Sequence, residues 1–379
     1  MRVLIAFDKF KDALTARAAC EAAAAALRAK HPDWTLDLCP LTDGGEGFCE
    51  TLSRTSQGEL CSTMVAGPHG APVSAPAGFV VWNRIPAAAR ARLPIGHSAS
   101  LAVVDLSSAS GLALLAHGQR DPWHTATRGT GELLRFAAQE RADAILLGVG
   151  GSATNDLGLG ALAALGFKFL DAAGAAITVP VPAKWERIRR IDRSGALPLP
   201  PVLIACDVTN HLLGPRGATA TFGPQKGLRA GVVPQLEAQA ARMAALLCSA
   251  CDRPLGLADT PGAGAAGGIA FGLMVAFGAR LVPGFDLVSD WLDLPVRLAA
   301  ADLVITGEGR FDATSLTGKG PGSLVRGARQ LGKSAHVFAG SLGLPVDGTH
   351  HAITPAGLPL AAALPRTAEL LAAAVHHHF

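Results

Sequence analysis

Short runs of β-branched and aliphatic residues recur along the chain, each followed by a turn rich in Gly, Asp and Thr and then by an alanine-rich stretch with helical spacing. Continuously apolar runs of this length suit strands buried on both faces, and their alternation with helical segments predicts parallel sheets covered by helices. Arg2–Phe7 reads as the first strand, residues 8–14 as its loop, and Thr15 as the N-cap of a helix over 16–29. Residues 35–41, Ala144–Gly148, 201–205 and 302–305 predict further strands. Their ends run into Asp43-Gly-Gly-Glu46-Gly47, Gly150-Gly-Ser-Ala-Thr-Asn-Asp156, Cys206-Asp-Val-Thr-Asn210 and Thr306-Gly-Glu-Gly-Arg310. Polar residues thus gather just past the strands, the edge where open parallel sheets bind ligands.

A chain of 379 residues is too long for one ordinary core, which rarely grows beyond about 250 residues, so two α/β domains with a cleft between them are expected. Both termini carry strand–turn–helix units, and the Pro/Gly-rich stretch 67–78 reads as a crossing between bodies. A first domain from 1–66 and 290–379, with a second from 67–289 inserted in it, follows from that reading. Hydrophobic residues make up 49% and charged residues 17%, a globular rather than disordered balance.

A net charge of +3 without a dense Lys/Arg stripe argues against nucleic acid as the main ligand and leaves room for a small anion. The first residues become charged too soon for a signal peptide, and the longest apolar stretch, 267–279, is shorter than the roughly 20 residues that cross a bilayer. A soluble, cytoplasmic protein with no membrane partner is expected. Seven scattered cysteines do not make a disulfide framework, and Cys248 and Cys251 read as packed thiols rather than a redox or zinc pair. His350-His351 read as a solvated loop pair, no histidine cluster with metal-ligand spacing is visible, and His376-His377-His378 stand apart from these considerations.

Two pattern matches mislead. Gly327-Ala-Arg-Gln-Leu-Gly332-Lys333-Ser334 satisfies the Walker A expression, yet a phosphate loop must follow a strand and open a helix. Here a helix over 324–331 comes first, Gly332 is its left-handed stop, and a strand over 335–339 follows. Gly262-Ala-Gly264-Ala-Ala-Gly267 satisfies the dinucleotide expression with Asp286 downstream, but no strand precedes it. That segment reads either as a helix start that accepts a phosphate or as tight packing on backbone.

The loop 148–156 is stronger evidence for an anion, because its glycines let backbone approach a ligand while Ser152, Thr154 and Asn155 add polar groups beside a helix start. Lys226 sits in a rigid Phe222-Gly-Pro-Gln-Lys226-Gly227 frame, and Arg128-Gly-Thr places a cation at another helix start. Asp8, Asp43, Glu46, Asp207, Glu308 and Asp312 stand at strand ends, where carboxylates can hold magnesium or accept a hydroxyl proton. Asp8 and Asp43 can equally serve as helix caps or turn residues, Asp207 and Asp312 less so, because glycines and threonines crowd the same turn.

Taken together and in order, Asp8-Lys-Phe-Lys11-Asp-Ala-Leu-Thr15, Asp43-Gly-Gly-Glu46-Gly47, Arg128-Gly-Thr-Gly-Glu132, Gly150–Asp156, Ala205–Asn210, Phe222–Gly227, Gly262–Gly268 and Ile305–Arg310 with Asp312, Ser315 and Gly318-Lys319 resemble successive signatures of the type-1 bacterial glycerate kinases. The resemblance implies a flavodoxin-like, doubly wound α/β domain with a second α/β domain inserted in it. It also implies phosphorylation of D-glycerate by ATP with Mg2+, yielding phosphoglycerate, with the 2-phosphate favoured over the 3-phosphate. On that reading Gly150, Gly151, Ser152, Asn155, Gly264 and Gly267 hold ATP phosphates with Lys226, while Asp207 or Asp43 holds magnesium. Lys11 and Arg310 meet the glycerate carboxylate, Asp8 and Ser315 complete the substrate site, and Asp312 accepts the hydroxyl proton. Phe7, Lys9, Phe48, His211 and Thr314 depart from the family pattern, which bears on substrate selectivity more than on reaction class. A kinase of another small hydroxy acid, an NAD-binding oxidoreductase and a non-catalytic ligand sensor are the other readings. Monomer and homodimer stay equally open.

Overall fold

The computed structural model describes residues 1–96, 99–317, 320–343 and 348–379. These form two compact units, Met1–Asp43 with Val288–Phe379, and Gly44–Leu287.

The first unit is built on five parallel strands, Arg2–Phe7, Thr35–Leu38, Leu303–Gly307, Ser334–Ala339 and His350–Ala352. Counted in the unit's own chain order they lie 2-1-3-4-5, the flavodoxin-like doubly wound arrangement. Val3, Leu4, Ile5, Ala6 and Phe7 are all fully buried, as an unbroken apolar run requires of a strand covered on both faces. The helix Ala16–Lys30 lays Ala19, Cys20, Ala23, Ala24, Ala26 and Leu27 on that sheet, and Thr15 caps it by accepting from the N–H of Ala18 at 3.2 Å. A second helix, Thr367–His378, packs beside the first and buries Leu370, Leu371 and Val375.

The second unit is built on a six-stranded sheet. Its strands Arg280–Pro283, Val202–Cys206, Ala144–Gly148 and Ser100–Asp105 run parallel, and Pro72–Val81 and Glu59–Ala66 extend it antiparallel. Its core joins Ile145, Leu147 and Ile204 of the sheet to Trp185, Leu236, Met243, Phe271 and Leu273. The apolar helix Ala265–Phe277, regular only after the left-handed residues 266–268, is buried almost all round, which accounts for its composition. Among the described residues no helix is long and apolar enough to cross a membrane.

Residues 44–66, expected with the first unit, belong to the second, because Glu59–Ala66 pairs with Pro72–Val81 along eight residues. The stretch 67–78 is accordingly a hairpin turn and a strand rather than a crossing. Its turn closes through Gly67 N–H to Ala71 O at 2.6 Å, with Gly70 in the left-handed region at φ +91°. His350 and His351 are also not a solvated loop pair; they lie in a strand, His350 buried and His351 half-buried. The Walker look-alike keeps the order read from the sequence, with the helix Pro321–Gln330, Gly332 at φ +65° and the strand Ser334–Ala339.

Candidate functional site

In the first unit the strand order reverses between Arg2–Phe7 and Leu303–Gly307, the point where ligands bind such sheets. Asp8 and Glu308 follow directly on these two strands, both half-buried. The Asp8 carboxylate accepts from the N–H of Lys9 at 2.7 Å, and the Lys9 ammonium pairs with Asp43 at 3.3 Å. Burial, reinforced by the charges of Asp43 and Glu308 and opposed by Lys9, pushes the Asp8 carboxyl up to about 7. Glu308 is raised for the same leading reason, with Asp312 and Asp43 adding to it and a hydrogen bond from Ser315 opposing it. Three carboxylates therefore share one field that Lys9 only partly neutralises. Such a crowded set of hard oxygen donors fits a magnesium ion.

Asp312 behaves differently. One of its oxygens accepts from Thr314 N at 2.9 Å, Thr314 Oγ1 at 2.5 Å and Ser315 N at 3.4 Å, and the other from Arg310 Nε at 3.2 Å. It thereby caps the short helix Ala313–Thr317, and these bonds, that from the Thr314 hydroxyl foremost, hold its carboxyl below the usual range. Arg310 and Lys11 are both exposed, and Gly318 and Lys319 lie outside the described residues.

In the second unit four turns converge at the carboxyl ends of the parallel strands. Gly150 N–H donates to Gly44 O at 2.9 Å, Leu157 N–H to Gly267 O at 3.0 Å, and Gly264 N–H to Asn210 O at 3.0 Å. The glycines are spaced for this contact: a Cβ on Gly150 would stand 2.8 Å from Gly45, one on Gly264 2.3 Å from His211 O, and one on Gly267 2.0 Å from Thr154 O. Of the two readings of 262–268, tight packing on backbone therefore holds at Gly264 and Gly267. Gly151, at φ +72°, and the buried Ser152 follow in the same turn, where Leu112 N–H donates to Gly151 O at 2.8 Å.

Asp207 is half-buried and accepts from Phe285 N at 2.8 Å. Lys226 is buried beneath the 148–156 loop, donating to Thr154 O at 2.6 Å, and burial lowers its pKa to about 7 against the pull of Asp156. The protein's own bonding leaves Thr154 Oγ1 and Asn155 Oδ1 without partners although both are buried, while Asn155 Nδ2 donates to Thr219 Oγ1 at 3.1 Å. Buried polar atoms left so beside a strand-end turn can be met by a water or a ligand.

Two residues escaped the sequence reading. Lys9, noted only as a departure, is the cation inside the carboxylate group. Asp105 is buried at a strand end, accepting from Ser107 Oγ at 3.0 Å, Ser108 N at 2.9 Å and Cys49 N at 3.2 Å. Its signal was available, since an acid closes the apolar run 101–104 before two serines.

Two α/β units that each gather acids, glycines and a lysine at the carboxyl edge of a parallel sheet define a protein that handles small charged ligands. The profile of the Glycerate kinase family matches residues 3–377, and the chain belongs to that family. It is 35% identical to a glycerate kinase of Bacillus subtilis, over 98% of this chain and 95% of that one. It is 36% identical to the glycerate 2-kinase of Escherichia coli, over 92% of this chain and 88% of that one. The crystal structure of a candidate glycerate kinase 2 from Salmonella typhimurium LT2 is 35% identical and covers 100% of this chain and 96% of its own, with a TM-score of 0.74.

Proposed function

We propose that this chain transfers the γ-phosphoryl group of ATP to D-glycerate, with the 2-hydroxyl as the favoured acceptor. The observation that carries this reading is the group of carboxylates at the switch point of a family member's sheet, Asp8 and Glu308 beside Asp43 and Lys9, in which burial raises the Asp8 carboxyl to about 7. A base with that affinity suits removal of a hydroxyl proton at physiological pH better than Asp312, whose carboxyl is held low by its capping bonds. Asp8 accepts the proton of the acceptor hydroxyl. Lys11 and Arg310 meet the glycerate carboxylate, and Ser315 orients Glu308.

In the second unit the 148–156 turn places backbone and side-chain groups, among them Ser152 and Asn155, for the nucleotide phosphates, and the 262–268 turn packs against it. Lys226 fixes the first of these turns from below. Magnesium, when bound, neutralises phosphate charge; within the first unit Asp43 and Glu308 would offer it oxygen ligands, and Asp207 is a separate candidate ligand within the second unit. Seven cysteines without disulfides suit a cytoplasmic enzyme, for which monomer and homodimer both remain compatible.

The test is ADP release with magnesium and ATP across D-glycerate, L-glycerate, lactate and tartrate, with phosphorus NMR of the product. D-glycerate should be the best substrate and give the 2-phosphate. ADP release no faster than without an acceptor for every acid would remove the kinase reading.

A further inference from the structure

Away from the strand-end carboxylates, the first unit brings together three histidines that are far apart in sequence. His336 lies in the strand Ser334–Ala339 and His351 in the edge strand His350–Ala352, whose register sets His351 opposite Phe338. Side chains two apart on a strand share a face, so His336, Phe338 and His351 stand together. The helix Thr367–His378 crosses that face and adds His378 from its last turn, with ring centroids 4.6 Å from His336 and 4.1 Å from His351.

The rings present nitrogens to one another rather than only carbon edges. One coordinating nitrogen from each of the three lies within 4.8 Å of the other two. His336 Nδ1 and His351 Nε2 are 3.2 Å apart. Tetrahedral zinc with Zn–N bonds of about 2.0–2.1 Å holds its ligand nitrogens roughly 3.3–3.4 Å apart, so this pair is already spaced for a shared ion. His378, exposed at the helix end, supplies the third nitrogen.

The surroundings fit as well. His336 Nε2 is 3.1 Å from Ser334 Oγ, the kind of outer hydrogen bond that fixes the tautomer of a ligating imidazole. Phe338 stacks on His351 at 4.6 Å and Phe379 meets His336 at 5.1 Å, giving an apolar wall on which three protonated imidazoles would repel one another and three neutral ones can ligate.

We propose that His336, His351 and His378 form a site for one divalent transition-metal ion of the zinc class, which clasps the C-terminal helix to the edge of the first unit's sheet. Imidazole ligands select zinc, cobalt, nickel or copper over magnesium, so the site is independent of the magnesium of the reaction.

The experiment titrates the metal-free full chain with Co2+ in excess Mg2+, following visible absorption, and measures thermal melting with and without Zn2+. The wild type should take up one equivalent of Co2+ with the intense bands of a low-coordinate nitrogen site, and Zn2+ should raise its Tm. His336→Asn and His378→Asn should each abolish both signals. Ser334→Ala should weaken binding about 10-fold or more. A metal-free His378→Asn protein that melts with the wild type shows that the loss is not unfolding. The paired change His376→Asn with His377→Asn should leave both signals intact. Bands and Tm shift that persist in His336→Asn and His378→Asn, that vanish in the paired variant, or that never arise in the wild type each overturn the proposal.

Discussion

Lys226 reaches Thr154 from beneath the glycine turn, its ammonium 2.6 Å from the carbonyl oxygen and the residue 1% exposed. On the proposed function, a lysine so placed would act on the phosphates through the loop it supports. Its folded pKa, lowered to about 7, lies below its unfolded value of 10.5, so the folded state binds fewer protons and the protein gains stability as pH rises from about 7 towards 10. Lys226→Met removes this dependence and leaves the Thr154 carbonyl without its donor, a loss of about 1–3 kcal/mol that opposes the relief of burying a charge. Melting of both proteins should show the balance shift towards the wild type as pH rises from 7 to 9. A constant gap would mean that Lys226 titrates like an exposed lysine.

Asp8 gives the opposite sign. Its carboxyl moves from 3.8 to about 7 on folding, so its contribution to stability is fully present below about pH 4 and lost as pH rises to 7. The interval between those values sets a ceiling of about 4 kcal/mol. Asp8→Asn should therefore melt higher than the wild type at pH 8, by less at pH 5, and lose most turnover. Magnesium bound at Asp43 and Glu308 would oppose the rise of the Asp8 carboxyl, so wild-type turnover should climb with pH through a midpoint at or below about 7. Full turnover in Asp8→Asn would remove Asp8 as the base.

What the sequence disclosed depended on how local the cause was. Arg2–Phe7 was legible because burial on both faces writes an unbroken apolar run, and Thr15 because its cap needs only Ala18. Pro72–Val81 was not legible, since Pro72 and Pro76 argue against a strand. They are tolerated because pairing with Ser100–Asp105 begins only at Ala77, leaving both prolines where the strand has a neighbour on one side. Asp8, Asp43 and Glu308 were visible as acids closing strands. The capping of Ser315 and Thr314 by Asp312 depends on side-chain direction, and the meeting of His336, His351 and His378 on strand order, neither of which composition or spacing carries.

Gly267 tests whether the second unit's turns depend on backbone contact. Its φ of +70° suits glycine, and an added Cβ would stand 2.0 Å from Thr154 O and 2.7 Å from Asn155 Cα, both backbone atoms with little freedom to yield. Gly267→Ala should cost several kcal/mol, about 1–3 from the backbone conformation alone. Denaturant unfolding measures it. Gly231→Ala, where an added Cβ meets nothing within 4 Å, is the control and should change stability by less than about 1 kcal/mol. Equal stability of the two variants would show that the 262–268 turn is not held against 154–157.

Asp312 and Asp8 can be separated by the same substitution. Asparagine is nearly as good an N-cap as aspartate and still accepts from Thr314 and Ser315, so Asp312→Asn should leave melting almost unchanged. What it loses is the charge that holds Arg310 Nε at 3.2 Å, which frees a guanidinium proposed to meet the substrate carboxylate. The expected result is a rise in KM for glycerate with turnover reduced less than about 10-fold. Removal of a general base costs about 100- to 10,000-fold in turnover. A fall of that size in Asp312→Asn at unchanged KM would return the proton to Asp312 and leave Asp8 as a member of the carboxylate group alone.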